Sequence, residues 1–344
     1  MADIDKIAEL VGNKEFEEAR PLINEALAES PDNVEVLKYA GLCDVNLSCY
    51  HTAKSYFETV VKYEQEDATS WFYLAICYEK LADFVSAKNS YIKVLELRPE
   101  YMEAYKSLCV ILFKINEPEL AIKYAQKASE LDSEDYIYDF IIGTAYMKQK
   151  EFEKALPALK SALEKAPDNM GTINSLGTCY MATGQFTEAI RIYNSALEID
   201  ANNAMTYFNI ASAYQVQNNH QDAIEYFKKA LELEEDESFL TAIAISEVKL
   251  GLYEDALNHY KQLVLLCPGK ENYKYNLITC YEALGELDTA IKMLEGMVYV
   301  NPKFVLPAQK LASLYIKTNQ PAKAKEIFDN ILLKNNVTAY ILHQ

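Results

Sequence analysis

Seven cysteines, four histidines and 51 carboxylates are the side chains of this 344-residue chain that could do chemistry. Clustered at the right spacing, such groups hold metals, form disulfides or move protons. Their spacing argues against each use. The cysteine count is odd and no Cys-x-x-Cys occurs; Cys43, Cys77, Cys179 and Cys280 fall at one recurrent place, where free cysteine packs as a small apolar residue. His51, His220, His259 and His343 share no register, and acid pairs such as Glu17 and Glu18 are neighbours on one helix that point in different directions. No glycine-rich phosphate loop, G-x-S-x-G elbow or H-E-x-x-H zinc pair is present. The residues imply no catalytic group, no metal and no cofactor.

Composition narrows the remaining classes. With 10 Gly, 10 Pro and half its residues apolar, the chain has a helical profile. A net charge of −18 disfavours nucleic acid and anionic membranes as main partners, because both reward basic patches. The start MADIDKIAEL lacks the pattern of a targeting segment, and no run approaches the roughly 18 apolar residues of a membrane span, so a cytoplasmic location is expected.

What must position any functional side chain is a repeat. Ala19, Ala53, Ala87, Ala121, Ala155, Ala189, Ala223, Ala256, Ala290 and Ala324 recur every 34 residues, apart from one interval of 33. Twelve residues before them lies a small residue (Gly41, Ala75, Cys109, Gly143, Gly177, Ala211, Ala244, Ala312), and nine before six of them lies a tyrosine: Tyr78, Tyr146, Tyr180, Tyr214, Tyr281 or Tyr315. Apolar spacings of three and four make two helices per unit, with a break near Ser48, Ala82, Asn116, Lys150, Gly184, Gly251, Gly285 or Asn319. Pro118 and Pro321, and also Pro21 and Pro157, are expected in the first turn of a second helix. Ten units follow, about 1–33, 34–67, 68–101, 102–135, 136–169, 170–203, 204–236, 237–270, 271–304 and 305–338, with a tail at 339–344.

The stretch WFYLAICYEKLADFVSAKNSYIKVLELRP is similar to the tetratricopeptide repeat, with Trp71, Leu74, Ala75, Tyr78, Ala87, Tyr91 and Pro99 at the signature places. The resemblance implies an all-α fold, a right-handed superhelical solenoid of helical hairpins whose first helices line a concave wall. It also implies a non-enzymatic scaffold for protein–protein interaction, its partner a protein or peptide segment. On that wall, fifteen residues before the marker alanine, Phe72, Phe140, Phe208 and Tyr275 alternate with polar residues that include Asn174. These rings read either as pockets for an extended peptide or as packing between hairpins. Asn209 and Asn276 lie one residue further on, and Thr144, Thr178, Ser212 and Thr279 eleven before the marker, so the row can donate to and accept from a peptide backbone. It resembles the asparagine ladder of the O-linked N-acetylglucosamine transferase array, matched at Asn209 and Asn276 alone. The carboxylate clamp of chaperone adaptors is not matched, since Lys38 is followed by Leu42 and Lys106 by Val110 where an Asn is needed. Lys80, Lys106, Lys114 and Lys148 suggest a locally basic wall.

Two departures from regularity remain. The acidic run Glu232–Glu237 spans the 33-residue interval, where Asp236 or Ser238 is a natural helix cap and the shortened turn should alter the local twist. After the tenth unit only KNNVTAYILHQ remains, in which Tyr340, Ile341 and Leu342 could fold back. The alternative function is therefore self-association, as a homodimer or larger assembly, through an uncapped C-terminal end.

Overall fold

The computed structural model of the chain describes residues 3–301 and 305–332, and among these it holds twenty helices and no strand. Pro302 and the tail residues Tyr340, Ile341 and Leu342 lie outside the described residues. The chain divides into two compact units, Met1–Thr183 and Gly184–Gln344. In the first, the helices pair as α1 (Ile4–Gly12) with α2 (Phe16–Glu29), α3 (Val34–Asn46) with α4 (Tyr50–Tyr63), and α5 (Ala68–Lys80) with α6 (Phe84–Leu97). Next come α7 (Met102–Lys114) with α8 (Pro118–Leu131), α9 (Tyr136–Lys148) with α10 (Phe152–Lys165), and then α11 (Met170–Ala182). The second unit opens with α12 (Phe186–Ile199) and continues with α13 (Ala204–Val216) on α14 (His220–Leu233) and α15 (Glu237–Leu250) on α16 (Tyr253–Leu266). It continues with α17 (Glu271–Ala283) on α18 (Leu287–Val300) and α19 (Val305–Lys317) on α20 (Pro321–Ile327), which widens into a π turn at Phe328–Leu332.

Seven of the first helices start where a side chain satisfies a free N–H group, whereas α7 and α17 follow Tyr101 and Lys270 with no side-chain cap. Asp3, Asn33, Asp67, Asp135, Asn169, Asn203 and Asp236 are N-caps whose side-chain oxygens accept from a backbone N–H two or three residues on. Each first helix is followed by one residue of left-handed backbone: Lys14, Ser48, Ala82, Asn116, Lys150, Gly184, Asn218, Gly251, Gly285 and Asn319, with φ between 59° and 81°. The next N–H then closes a long backbone bond, such as Asp83 to the Tyr78 carbonyl (2.9 Å) and Glu286 to that of Tyr281 (2.9 Å). The expected breaks therefore stand at these turns, and Lys14 and Asn218 complete the series.

The prolines divide. Pro118 and Pro321 open α8 and α20, as expected. Pro21 and Pro157 sit in the second turn of α2 and α10 instead, on the exposed side. There the carbonyls they leave unbonded can reach water, which is why the displacement from the first turn is tolerated.

The core forms where small residues let paired helices approach. All ten marker alanines are buried. A Cβ on Gly41 would lie 2.6 Å from the Phe57 ring, and one on Gly143 would lie 2.5 Å from Leu159, so both positions need glycine against those partners. Burying a side chain of the size of Leu159 contributes about 1.5–3 kcal/mol, and the contact repeats from hairpin to hairpin.

The acidic run forms the connector from α14 to α15. Only Glu234–Asp236 separate the two helices, three residues where four residues, such as 200–203, join other units. The shorter path is more extended: Asp236 has φ −130° and ψ 140°, against −84° and 98° at Asn203. Asp236 is the cap, accepting the Ser238 N–H at 2.7 Å. Glu237 receives hydrogen bonds from Lys270, Tyr273 and the Cys267 thiol (3.0 Å), which bring its carboxyl down to about 2.

Candidate peptide-binding surface

Each first helix buries one face against its partner helix and presents a stripe at helical spacing on the other. In the second unit these stripes are Met205, Phe208, Asn209, Ser212 and Val216 on α13, then Ser238, Thr241 and Ile245 on α15. They continue as Asn272, Tyr275, Asn276 and Thr279 on α17, and Leu306, Gln309, Ser313 and Ile316 on α19.

The rings of these stripes are half-buried and anchored. Phe208 stacks on Phe239 of the following hairpin at 4.9 Å and lies 5.5 Å from Phe227. Tyr275 carries the Lys310 ammonium 5.6 Å from its centroid. In the first unit Phe72 meets Tyr101 at 4.9 Å and Tyr91 at 5.7 Å, and the Phe140 ring lies 3.7 Å from where a Cβ on Gly171 would stand. Each ring leans on a neighbouring hairpin and keeps part of its surface open.

The polar residues separate into donors and acceptors. Thr144, Thr178, Ser212 and Thr279 donate to carbonyls one turn back, those of Phe140, Asn174, Phe208 and Tyr275, at 2.8–3.0 Å. Their protons are committed, and only lone pairs face outward. Asn276 donates its amide to the Tyr260 hydroxyl at 3.3 Å, whereas Asn209, half-buried, makes no hydrogen bond among the described residues. Asn174 and Thr178 are exposed on α11, beside Phe140 and Thr144 on α9. Phe72 stands apart on α5. In the second unit α15 separates the α13 group from the α17 group.

Sequence reasoning passed over the apolar members of the stripes. Met205, Val216, Ile245, Leu306 and Ile316 are exposed on first helices, and the register that located Phe208 and Ser212 locates them too. Neutral rungs join neighbouring helices: the Gln215 amide donates to the Ser246 hydroxyl (2.8 Å) and the Ala242 carbonyl (3.0 Å).

Of the four lysines suggested as a basic wall, Lys106, Lys114 and Lys148 have a partner, and Lys80 is exposed. Lys106 pairs with the cap Asp135 at 2.9 Å, and Lys148 sits 3.6 Å over the Phe113 ring while donating to the Phe113 carbonyl (2.9 Å). Lys114 lies 5.3 Å from the centroid of Phe84. Lys38 is held by Glu64 and by the cap Asp67 at 3.0 Å. A cap aspartate suits a helix N-terminus and also draws in the lysine of the hairpin before it, so one carboxylate does two jobs.

Other chemistry-bearing groups are likewise engaged. Burial pushes the Cys77 and Cys109 thiols up to about 12, and those of Cys43, Cys179 and Cys280 to about 11, so they stay protonated and pack. Two buried carboxylates replace the recurrent tyrosine: Asp44, bonded by Arg20 and Thr52, and Glu247, 2.8 Å from His259 Nδ1. Among the described residues no group of three or more His, Cys, Asp or Glu is placed to hold a metal ion, and no helix is long and apolar enough to cross a membrane.

Comparison with known proteins agrees with this architecture. Models of the tetratricopeptide repeat match residues 68–101, 139–169, 168–236 and 241–298. Protein FlbA of Caulobacter vibrioides is 27% identical over 172 residues, 49% of this chain and 29% of that protein. Anaphase-promoting complex subunit 3 of Dictyostelium discoideum is 24% identical over 125 residues, 36% of this chain and 13% of that subunit. The chain thus spans under a third of the curated relatives it matches. Among solved structures, the C-terminal part of a TPR repeat-containing protein of Cytophaga hutchinsonii superposes with a TM-score of 0.59 at 18% identity, over 70% of this chain and 99% of that one, a likeness of fold. From the ten-fold register, the capped and turned helices and the four family matches, the chain belongs to the tetratricopeptide repeat family.

Proposed function

We propose that the chain is a non-enzymatic scaffold that holds an extended peptide or partner-protein segment against the exposed stripes of its first helices. The observation that carries this reading is the chemistry of those stripes. Half-open rings, Phe140 in the first unit and Phe208 and Tyr275 in the second, stand beside uncharged polar groups at matching register. The hydroxyls of Thr144, Thr178, Ser212 and Thr279 accept N–H groups of a bound backbone. The amides of Asn174 and Asn209 donate to its carbonyls. Such a surface holds a main chain without a charge match, which suits the paired state of Lys38 and Lys106.

Affinity capture with the purified chain identifies the segment, and titration of a synthetic copy then tests the surface. Asn209→Ala should weaken binding several-fold, and Asn276→Ala less, because its amide already serves Tyr260. Unchanged affinity in both variants and in Phe208→Ala would refute the assignment.

A further inference from the structure

Two rings of the repeat are replaced at the joint between the first two hairpins. Nine residues before the marker alanine, where Tyr78 stands in the third repeat, the second repeat carries Asp44. Four residues after the marker, where Phe57 and Tyr91 stand in the next two repeats, the first carries Ile23. Between α2, α3 and α4 this leaves a cavity of about 340 Å³, floored by the buried Ile23, Ala40 and Cys43 and edged by Arg20, Asn24 and Asp44. That volume lies at the lower end of the roughly 300–1,000 Å³ typical of small-molecule sites. Other departures from tyrosine keep the place filled: Leu112 is fully buried, and Glu247 has the His259 ring against it at 2.8 Å.

The next joint shows what such a space holds. There the Tyr78 ring has the Lys54 ammonium 5.5 Å from its centroid and donates its hydroxyl to Glu58 at 2.7 Å. In the first hairpin Arg20 and Asn24 occupy the places of Lys54 and Glu58, one and five residues after the marker alanine. Arg20 is bonded to Asp44 and still 37% exposed, and Asn24 makes no hydrogen bond among the described residues. A cation for a ring face and an acceptor for a hydroxyl are both present, without the ring.

We propose that this cavity is a binding site for a phenolic ring. The chain's own third repeat selects the occupant, because ring, cation and acceptor stand together there at the same three places. A ring bearing a carboxylate or phosphate would bring that charge toward the buried Asp44, so the ring is uncharged. An aliphatic group would fill the volume but offer Arg20 no π face. The side chain of a partner's tyrosine and a free phenol share this chemistry. None of the first-helix stripe residues lines the cavity, so the site stands whether or not they hold a peptide.

Titration of the full chain with p-cresol, followed through the nuclear magnetic resonance shifts of the Ala40, Cys43 and Asp44 amides, tests it. The shifts should saturate at roughly millimolar ligand, as suits a fragment of this size. Toluene, which lacks the hydroxyl, and methylcyclohexanol, which lacks the π face, should each need several-fold more. Asn24→Ala, at an exposed position, should remove the preference for p-cresol over toluene. Asp44→Tyr, which supplies the ring covalently, should abolish the response. N-acetyltyrosinamide separates the two sources: saturation by it as well as by p-cresol assigns the cavity to a partner's tyrosine side chain, and a response to p-cresol alone assigns it to a free phenol. Absence of any saturable shift overturns the proposal. So does a shift that Asp44→Tyr leaves unchanged, or equal binding of p-cresol and methylcyclohexanol to the wild-type chain.

Discussion

Asp44 and Glu247 occupy the same place in their repeats, nine residues before the marker alanine, where six other units hold tyrosine. Both are buried, yet they are held differently. Asp44 takes its partner Arg20 from α2, the hairpin before, with Thr52 of α4 as a second donor. Glu247 takes His259 from α16, its own hairpin. The ordinary tyrosine follows the first pattern, since the Tyr78 hydroxyl donates to Glu58 of the preceding hairpin at 2.7 Å. The position is thus a joint between hairpins in the first unit, and in the eighth repeat the joint has been turned inward. A carboxylate is tolerated at either place only because a donor was supplied with it.

The largest expected effect separates these two roles. Arg20→Met strands Asp44 and should lower unfolding stability by about 3 kcal/mol in urea titrations, while in an Asp44→Tyr background the same change should be close to neutral. A loss that persists in the double variant would mean that Arg20 acts through packing rather than through the carboxylate.

A smaller effect tests the turns. The first unit places Lys14, Ser48, Ala82, Asn116 and Lys150 in left-handed backbone, the second only Gly184, Asn218, Gly251, Gly285 and Asn319. A side chain there costs about 1 kcal/mol, so Lys150→Gly should raise stability by up to about that much, and Gly285→Ala should lower it similarly. Equal melting temperatures for all three proteins would show that the long backbone bonds, not the residue type, set the turn.

The smallest effect is one of acidity. Hydrogen bonds from Lys270, Tyr273 and Cys267 hold the Glu237 carboxyl below its unfolded value, so its ionised form stabilises the fold above about pH 4.5, and this is lost as pH falls through about 2. Glu237→Gln should therefore melt earlier than wild type at pH 7, with the gap closing below pH 4.5. A constant gap across that range would assign Glu237 a steric role.

Much of this was legible in the sequence, for a reason that particular residues show. The marker alanines and Gly41 are fixed by helix crossings that recur every 34 residues, so register alone located the core and even turns lacking glycine, such as Ala82 and Lys150. What register cannot carry is pairing. That Lys106 would be paired with Asp135 depends on two side chains 29 residues apart meeting across a hairpin boundary, which no spacing in the repeat announces. The direction of a hydroxyl proton at Ser212 is equally invisible in a one-letter code. The place of Pro21 and Pro157, by contrast, was within reach of register: α2 and α10 start three residues before their marker alanines, as α8 and α20 do, which makes each of these prolines the sixth residue of its helix.

The committed hydroxyls have a consequence for what can lie along the first helices. Thr144 and Thr178 in the first unit, and Ser212 and Thr279 in the second, each make a short rail that receives protons and offers none. A chain segment satisfies such a rail with its amide hydrogens, and proline has none to give. Along these helices the scaffold would filter by imino acid content before reading any side chain.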